Sequence, residues 1–418
     1  MLRKLLTASA LAIAVSIAGH SPSTAQETKE APIEVIHWML GPSEAAALKG
    51  GIAAFEADGG KWVDTGIAPS TLARQVMTQR LLSGDPPGAF MFVSKKDAQE
   101  FMRSGLLGDV TDVAKEEHWA EVLPPLTLDV ISLDGVFYAV PIEFQMTNVF
   151  WYNKKTFADL GIGEPRNWDD VIAALGKAKE KPDIVPLAFQ SEDAHFRNFW
   201  NTVLAAKGGA GLYNKIYKDL DVEAVKSPEF RAVAEAFKSL KPFTDPGAAS
   251  RKWNEAVGMV ISAKSAATFN GTWAKGEFTL ANKVAGEDFG CVVIGETPIV
   301  NTAMFAFPKL SDPAKTAAQK HLARVFMDPK VQADFAATKG GLPPNSQADT
   351  SKFDACGKAF SATLKEHPDN VVLDSQLTID GSTMAALIDL AIQYWGDTIT
   401  LDQFIDKFGN QLSKAQAL

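Results

Sequence analysis

Apolar and polar residues alternate along Ile33-Glu-Val-Ile-His-Trp38, which reads as a strand. Gly41-Pro-Ser43 turns the chain, and Glu44 to Asp58 reads as a helix ended by Gly59-Gly60. Lys61 to Ile67 follows as a second strand and Thr71 to Ser83 as a second helix. Ala89 to Val93, a short apolar run after Gly84-Asp-Pro-Pro87, reads as a third strand. This rhythm predicts a mostly parallel sheet with helices on both faces. Such sheets hold ligands at the carboxyl ends of their strands, here the turn after Trp38 and the loop after Val93.

A second αβ unit occupies the middle of the chain. Val136 to Val140 and Asn148 to Asn153 read as strands leaving the first unit. Asn167 caps a helix from Trp168 to Lys179, with Asp170 at its third position. Ile184 to Phe189 is a strand and Ala194 to Ala206 a helix; Ser227-Pro228 starts another that runs to Leu240. Asp288 to Ile294 and Thr302 to Phe307 return as strands, Asp328-Pro329 opens a helix, and the chain from about Ser382 is helical. No repeat and no Pro- or Ser-rich linker divides the halves. The chain is therefore expected to cross between two domains more than once, which makes a hinged cleft.

Composition changes this picture little. The 418 residues are 46% hydrophobic and 22% charged, an ordinary globular balance too long for one core. The net charge of -9 argues against a nucleic-acid partner. The first 25 residues read as a secretory signal: Arg3 and Lys4, an apolar run from Leu5 to Ala18, then Ser23-Thr24-Ala25 as the cleavage site. The expected mature chain starts at Gln26, lacks a Cys there for a lipid anchor, and is soluble outside the cytoplasm. Export allows the two cysteines, Cys291 and Cys356, to form a disulfide; two buried thiols are the alternative.

Catalytic signatures are lacking. The six histidines show no metal-ligand spacing, and no nucleophile elbow, P-loop or dinucleotide glycine motif occurs. No enzyme activity, cofactor or metal is expected. The aromatic residues carry more information. Of nine tryptophans, Trp38 precedes Gly-Pro, Trp253 sits in Arg-Lys-Trp-Asn-Glu and Trp273 in Asn-Gly-Thr-Trp-Ala-Lys. Indole rings stack on the C–H faces of sugars, while carboxylates, amides and Lys bond the hydroxyl rim. Each Trp alone could equally be a packing residue at a domain edge.

The chain resembles the extracellular solute-binding proteins of carbohydrate ABC importers, most closely the glucose/mannose-binding group. The ordered carriers begin with His37-Trp-Met-Leu-Gly-Pro-Ser-Glu44, Gly84-Asp-Pro-Pro87, Tyr138-Ala-Val-Pro141 and Trp151-Tyr-Asn-Lys154. Pro165-Arg-Asn-Trp168, Trp253-Asn254, Trp273-Ala-Lys-Gly-Glu-Phe278, Asp288-Phe-Gly-Cys291, Lys339-Gly-Gly-Leu-Pro343 and Phe353-Asp-Ala-Cys356 continue the set. The resemblance implies an α/β, two-lobed periplasmic binding protein fold of type II with a sugar in the inter-lobe cleft. It also implies that Cys291 and Cys356 pair. The expected lobes are 26–140 with 296–345, and 141–295 with 346–418.

The same resemblance assigns ligand contacts. Trp38, Trp253 and Trp273 match stacking positions, and Glu44 and Lys339 match positions that bond hydroxyls. Elsewhere the polar shell departs from the group. Met39 stands for a second Trp, Pro42-Ser43 for two glycines, Gln145 for His, Asn301 for Asp, Thr272 for Asp and Asp380 for His. Met39, Gln145, Asn301 and Asp380 therefore join the candidate site, and glucose is not expected to be the preferred ligand. Taken singly, Glu44 could serve a helix dipole, Lys339 cap carbonyls, Asp380 a turn and Asn301 a strand-end bond. The expected partners are a carbohydrate or polyol and the transmembrane subunits of an ABC permease, with the protein monomeric and periplasmic. Two alternatives remain: a binder of a non-sugar such as an amino-bearing conjugate or polyamine, and an exported carbohydrate-active enzyme.

Overall fold

A computed structural model describes residues 31–92, 95–191 and 193–417. The targeting segment and Val93 lie outside the described residues. Among the described residues there are twelve strands: β1 Ile33–His37, β2 Trp62–Gly66, β3 Ala89–Phe92, β4 Ser132–Leu133, β5 Val136–Phe137, β6 Ala139–Met146, β7 Val149–Asn153, β8 Val185–Ala188, β9 Ser265–Asn270, β10 Phe289–Val293, β11 Ile299–Ala306 and β12 Val372–Leu373.

The first sheet runs β2-β1-β3-β11, with β6 along the other edge of β11 and β12 beside the start of β11. β1 pairs in parallel with β2 and β3, as the strand–helix–strand rhythm requires. β11 runs antiparallel to β3 and β6. The second sheet, β10-β7-β9-β8, has one parallel and two antiparallel pairings. The expected parallel arrangement holds for β1, β2 and β3, while each sheet taken whole is mixed. β11, returning from the second sheet, runs against its neighbours β3 and β6, while β12 lies parallel to it. β4 and β5 form a separate hairpin.

Helix starts follow local chemistry. Asn167 Oδ1 accepts from the Asp170 N–H at 2.9 Å and opens Trp168–Lys179. Ser227 Oγ accepts from the Phe230 N–H at 3.1 Å and opens Pro228–Ser239, with Pro at the first position. Asp328 caps Pro329–Lys339 in the same way. The helix expected over 194–206 continues to Tyr217 through a kink at Gly209, whose φ of 66° suits glycine.

β6 is buried along its whole length and pairs with β11 from Ala139 to Met146. The expected lobe boundary at 140 therefore falls inside a strand. The chain leaves the first sheet at Thr147-Asn148. Asn148 Nδ2 donates to the Thr297 carbonyl at 2.8 Å, and its Oδ1 accepts from the Ile299 N–H at 2.9 Å. One side chain so binds two crossing segments together, near the expected return at 296.

One apolar core lies under the first sheet, built from β1, β3, Ala139 to Ile142 of β6, and helices Pro42–Ala57 and Pro313–Met327. A second lies under the other sheet and takes in the C-terminal helices Gly381–Trp395 and Leu401–Gln416. A third cluster at the junction includes Met146, Trp151, Phe278, Phe360 and Cys356. There the disulfide Cys291–Cys356 joins β10 to helix Ala355–Glu366 across a sequence separation of 65. Among the described residues no helix is long and apolar enough to cross a membrane.

Candidate functional site

A cleft of about 560 Å³ opens where the turn after β1, the start of helix Ser70–Ser83 and the loops after β8 and β9 meet. Seven candidate residues line it: Trp38, Glu44, Gln145, Trp253, Trp273, Asn301 and Lys339. Strand alternation explains the turn after β1. His37 and Met39 point into the first core, Leu40 points outward, and Trp38 is half-buried, packed against the edge of that core while lining the cleft. His37 is held there by Asp64, 2.8 Å from Nε2, and by the Met39 N–H, which donates to Nδ1 at 3.2 Å.

Two candidates fall elsewhere. Met39 is 1% exposed within the first core, because its place in the alternation faces inward. Asp380 caps helix Gly381–Trp395: its Oδ1 accepts from the Thr383 N–H at 2.9 Å and the Ser382 hydroxyl at 2.6 Å. Its carboxylate serves the backbone at a helix start outside the cleft. Neither lines the cleft.

The aromatic wall is more extensive than the three indoles. The His195 ring stacks near Trp253 at a centroid distance of 6.2 Å and meets Trp273 edge-on at 5.9 Å. Burial, aided by the charge of Arg197, pushes the His195 pKa down to about 3, so the imidazole is neutral and behaves as an aromatic. Gly41 allows close approach. A Cβ there would lie 3.0 Å from the Trp253 ring and 3.1 Å from a Glu44 oxygen.

The polar groups divide into spent and available ones. Lys339 and Glu143 form a fully buried ion pair at 2.8 Å. Glu143 also accepts from Gln145 Nε2 at 2.5 Å and from the Gly341 N–H at 2.8 Å. Removing either charge would strand the other, so this pair fixes the back of the cleft. Asn301 sits opposite Gln145 across β6 and β11, and its buried Oδ1 has no hydrogen-bond partner among the described residues. A buried acceptor without a donor is costly, and a ligand hydroxyl would satisfy it.

Glu44 stands at the third position of helix Pro42–Ala57, where its Oε2 accepts from the Gly41 N–H at 3.4 Å. Burial raises its pKa to about 7, with Glu143 and Glu277 adding to the rise and Lys339 opposing it. Near neutrality Glu44 can therefore donate to or accept from a hydroxyl.

Several lining residues escaped sequence reasoning: Ser70, Thr71 and Arg74 after β2, and His195, Arg197 and Asn198 after β8. Their signal was positional, since each group opens a helix just past the carboxyl end of a strand. Gln376 shares that position, in the short helix Ser375–Thr378 just past β12, but a strand of two residues leaves no readable period in the sequence. Among the described residues no group of three or more His, Cys, Asp or Glu could hold a metal ion.

Comparison with known proteins agrees with this geometry. Residues 41–328 match the model of the family described as bacterial extracellular solute-binding protein. A protein of Brucella suis named "probable sugar-binding periplasmic protein" is 33% identical over 373 residues, 87% of each chain. One of the same name from Rhizobium meliloti is 31% identical over 391 residues, 92% of each chain. Among solved structures, a chitin oligosaccharide binding protein superposes with a TM-score of 0.80 at 20% identity, covering 93% of this chain and 100% of that one. Two sheets joined by crossing segments, a lined cleft between them and these matches lead to one conclusion: the chain belongs to the family of bacterial extracellular solute-binding proteins.

Proposed function

We propose that the protein is the periplasmic sugar-binding component of an ABC importer, which captures a sugar or sugar-like ligand and delivers it to a membrane permease. One observation carries this reading. Trp38 from the first lobe and Trp253 and Trp273 from the second line a single cleft whose rim is set with amides and a carboxyl near neutrality. Flat apolar faces with interspersed hydrogen-bonding groups are the complement of a pyranose.

The ligand docks on one wall, and hinge closure at the crossing segments brings the other wall onto it. Closure is driven by contacts that exist only when shut, including the hydroxyl donated to Asn301 Oδ1. The ligand leaves unaltered. The relatives' names, which place those proteins in the periplasm as sugar binders, support both the location and the class.

The polyamine alternative leaned on Glu44, Glu143 and Asp380. Glu143 is bound to Lys339, Asp380 lies outside the cleft and Glu44 is raised to about 7, so none offers an amine a dependable negative charge. The test is a thermal-shift screen over sugars, polyols and amines, followed by calorimetry. A monosaccharide or small glycoside should raise the melting temperature, and Trp253→Ala should abolish the shift. Stabilisation by amines alone would overturn the reading.

A further inference from the structure

One end of the cleft differs from the rest. Arg74, from helix Ser70–Ser83, enters from the first lobe, and Arg197, from helix Asp193–Tyr217, enters from the second. Arg197 is 5% exposed, and its Nε makes no hydrogen bond among the described residues. Its Nη2 donates to Asn198 Oδ1 at 2.9 Å, and its carboxylate neighbour Asp374 stands 3.7 Å from Nε, short of hydrogen-bond contact. Arg74 Nη1 donates to Gln376 Oε1 at 3.3 Å, while Asp97 and Asp374 act on it through space. Burial pushes the Arg74 pKa down to about 10, and the charge of Arg197 pushes it the same way.

Two more features point in one direction. Helix Ser70–Ser83 begins with no side-chain cap and no acid in its first turn, and Ser70 and Thr71 line the cleft. Its unpaired N–H groups and the positive end of its dipole are thus available there. Around the whole lining, Arg74, Arg197, Lys252 and Lys339 stand against one carboxyl, Glu44; behind the lining Lys339 is paired with Glu143 at 2.8 Å and Arg197 more loosely with Asp374 at 3.7 Å. Two guanidinium groups brought together from opposite lobes repel each other when the lobes shut. Asp374 and Asp97 offset part of that cost, and an anion bonded by both forks offsets the remainder and ties the lobes together.

We infer that the Arg74–Arg197 end of the cleft takes an anionic group, so that the ligand is an acidic sugar whose ring lies on the indoles and whose carboxylate or phosphate lies between the arginines. This rests on the sugar-binding reading and narrows it to a substrate class. The anion is also the group that makes the closed form the favoured one.

Calorimetry at low salt would compare D-glucose and D-galactose with D-glucuronate, D-galacturonate, D-gluconate and glucose 6-phosphate. At least one acid should bind roughly tenfold tighter than its neutral parent, the expected worth of a hydrogen bond to a charged group. The carboxylate and phosphate arms identify which anion it is. Arg74→Gln should narrow that ratio roughly tenfold and Arg74→Lys should restore part of it. Arg197→Gln should act alike, with its melting temperature recorded because it leaves Asp374 buried without a cation. The inference fails if neutral sugars bind as tightly as every acid, or if Arg74→Gln weakens acid and parent equally. If no sugar of either kind binds, the sugar-binding reading falls first and takes the inference with it.

Discussion

Glu44 shows how one carboxyl carries two duties. It holds the Gly41 N–H at a helix start and faces the cleft, with its pKa raised from 4.5 to about 7 by burial and two neighbouring carboxylates. Below pH 4.5 it is protonated folded or unfolded, and the shift is silent. Between pH 4.5 and 7 the folded chain holds a proton that the unfolded chain has lost, so stability falls as pH rises; above 7 the loss is complete. Solvent in the cleft tempers the effect to about 1–3 kcal/mol. Melting curves of the ligand-free protein across this window should show the decline, and Glu44→Gln should flatten it. Parallel curves for the two proteins would refute the assignment. Residue type alone was a weaker guide than context. The tryptophans singled out for polar, loop-like surroundings are the three that line the cleft, while Trp119, Trp151, Trp168 and Trp200 fill cores.

At the scale of elements, the back of the site depends on how strands and helices are tied. Helix Ala355–Glu366 is held to β10 by Cys291–Cys356 beside the cluster that contains Trp151 and Phe278. A bridge closing a loop of 65 residues restricts the unfolded chain by about 4 kcal/mol in the chain-entropy account. The double variant Cys291→Ser with Cys356→Ser should lower stability by most of that amount in urea titrations, and reduction of the parent should match it. A loss under about 1 kcal/mol would mean that junction packing carries the load instead. β6 teaches a related point. Pro141, Glu143 and Gln145 break its apolar pattern, so its sequence past Val140 does not look like a buried strand. Lys339, nearly two hundred residues away in the chain, is what makes Glu143 acceptable there.

At the scale of the whole molecule, one contact beside the cleft joins the two halves directly. The Ser43 N–H and hydroxyl, at the start of helix Pro42–Ala57, donate to Glu277 Oε1 at 3.1 and 2.7 Å. Glu277 belongs to helix Ala274–Leu280, which follows β9 of the other sheet. The helices meet so closely that a Cβ on Gly276 would lie 2.5 Å from the Ser43 Cβ. Under the proposed hinge mechanism, an acidic side chain on a helix N-terminus across the gap favours the shut state. Glu277→Ala should therefore weaken ligand binding roughly tenfold, chiefly through faster release. Stopped-flow tryptophan fluorescence would read the rate, and small-angle scattering would show less compaction on ligand addition. Unchanged release and compaction would remove this contact from the closing mechanism.

What the sequence determined by itself is local or collective. Strand and helix periods, caps such as Asn167 and Ser227, the two-unit organisation and the ordered set of family motifs were all legible, because each depends on neighbours along the chain. Tertiary structure alone decided which polar groups line the cleft. Met39 and Asp380 match the family's positions in sequence, yet one is turned into the core by strand alternation and the other is used up by a helix start. Arg74 and Arg197 carry no motif and became a pair only when opposite lobes met. A side chain's role in a cleft is fixed by what approaches it from the other wall, and that partner is distant in the chain.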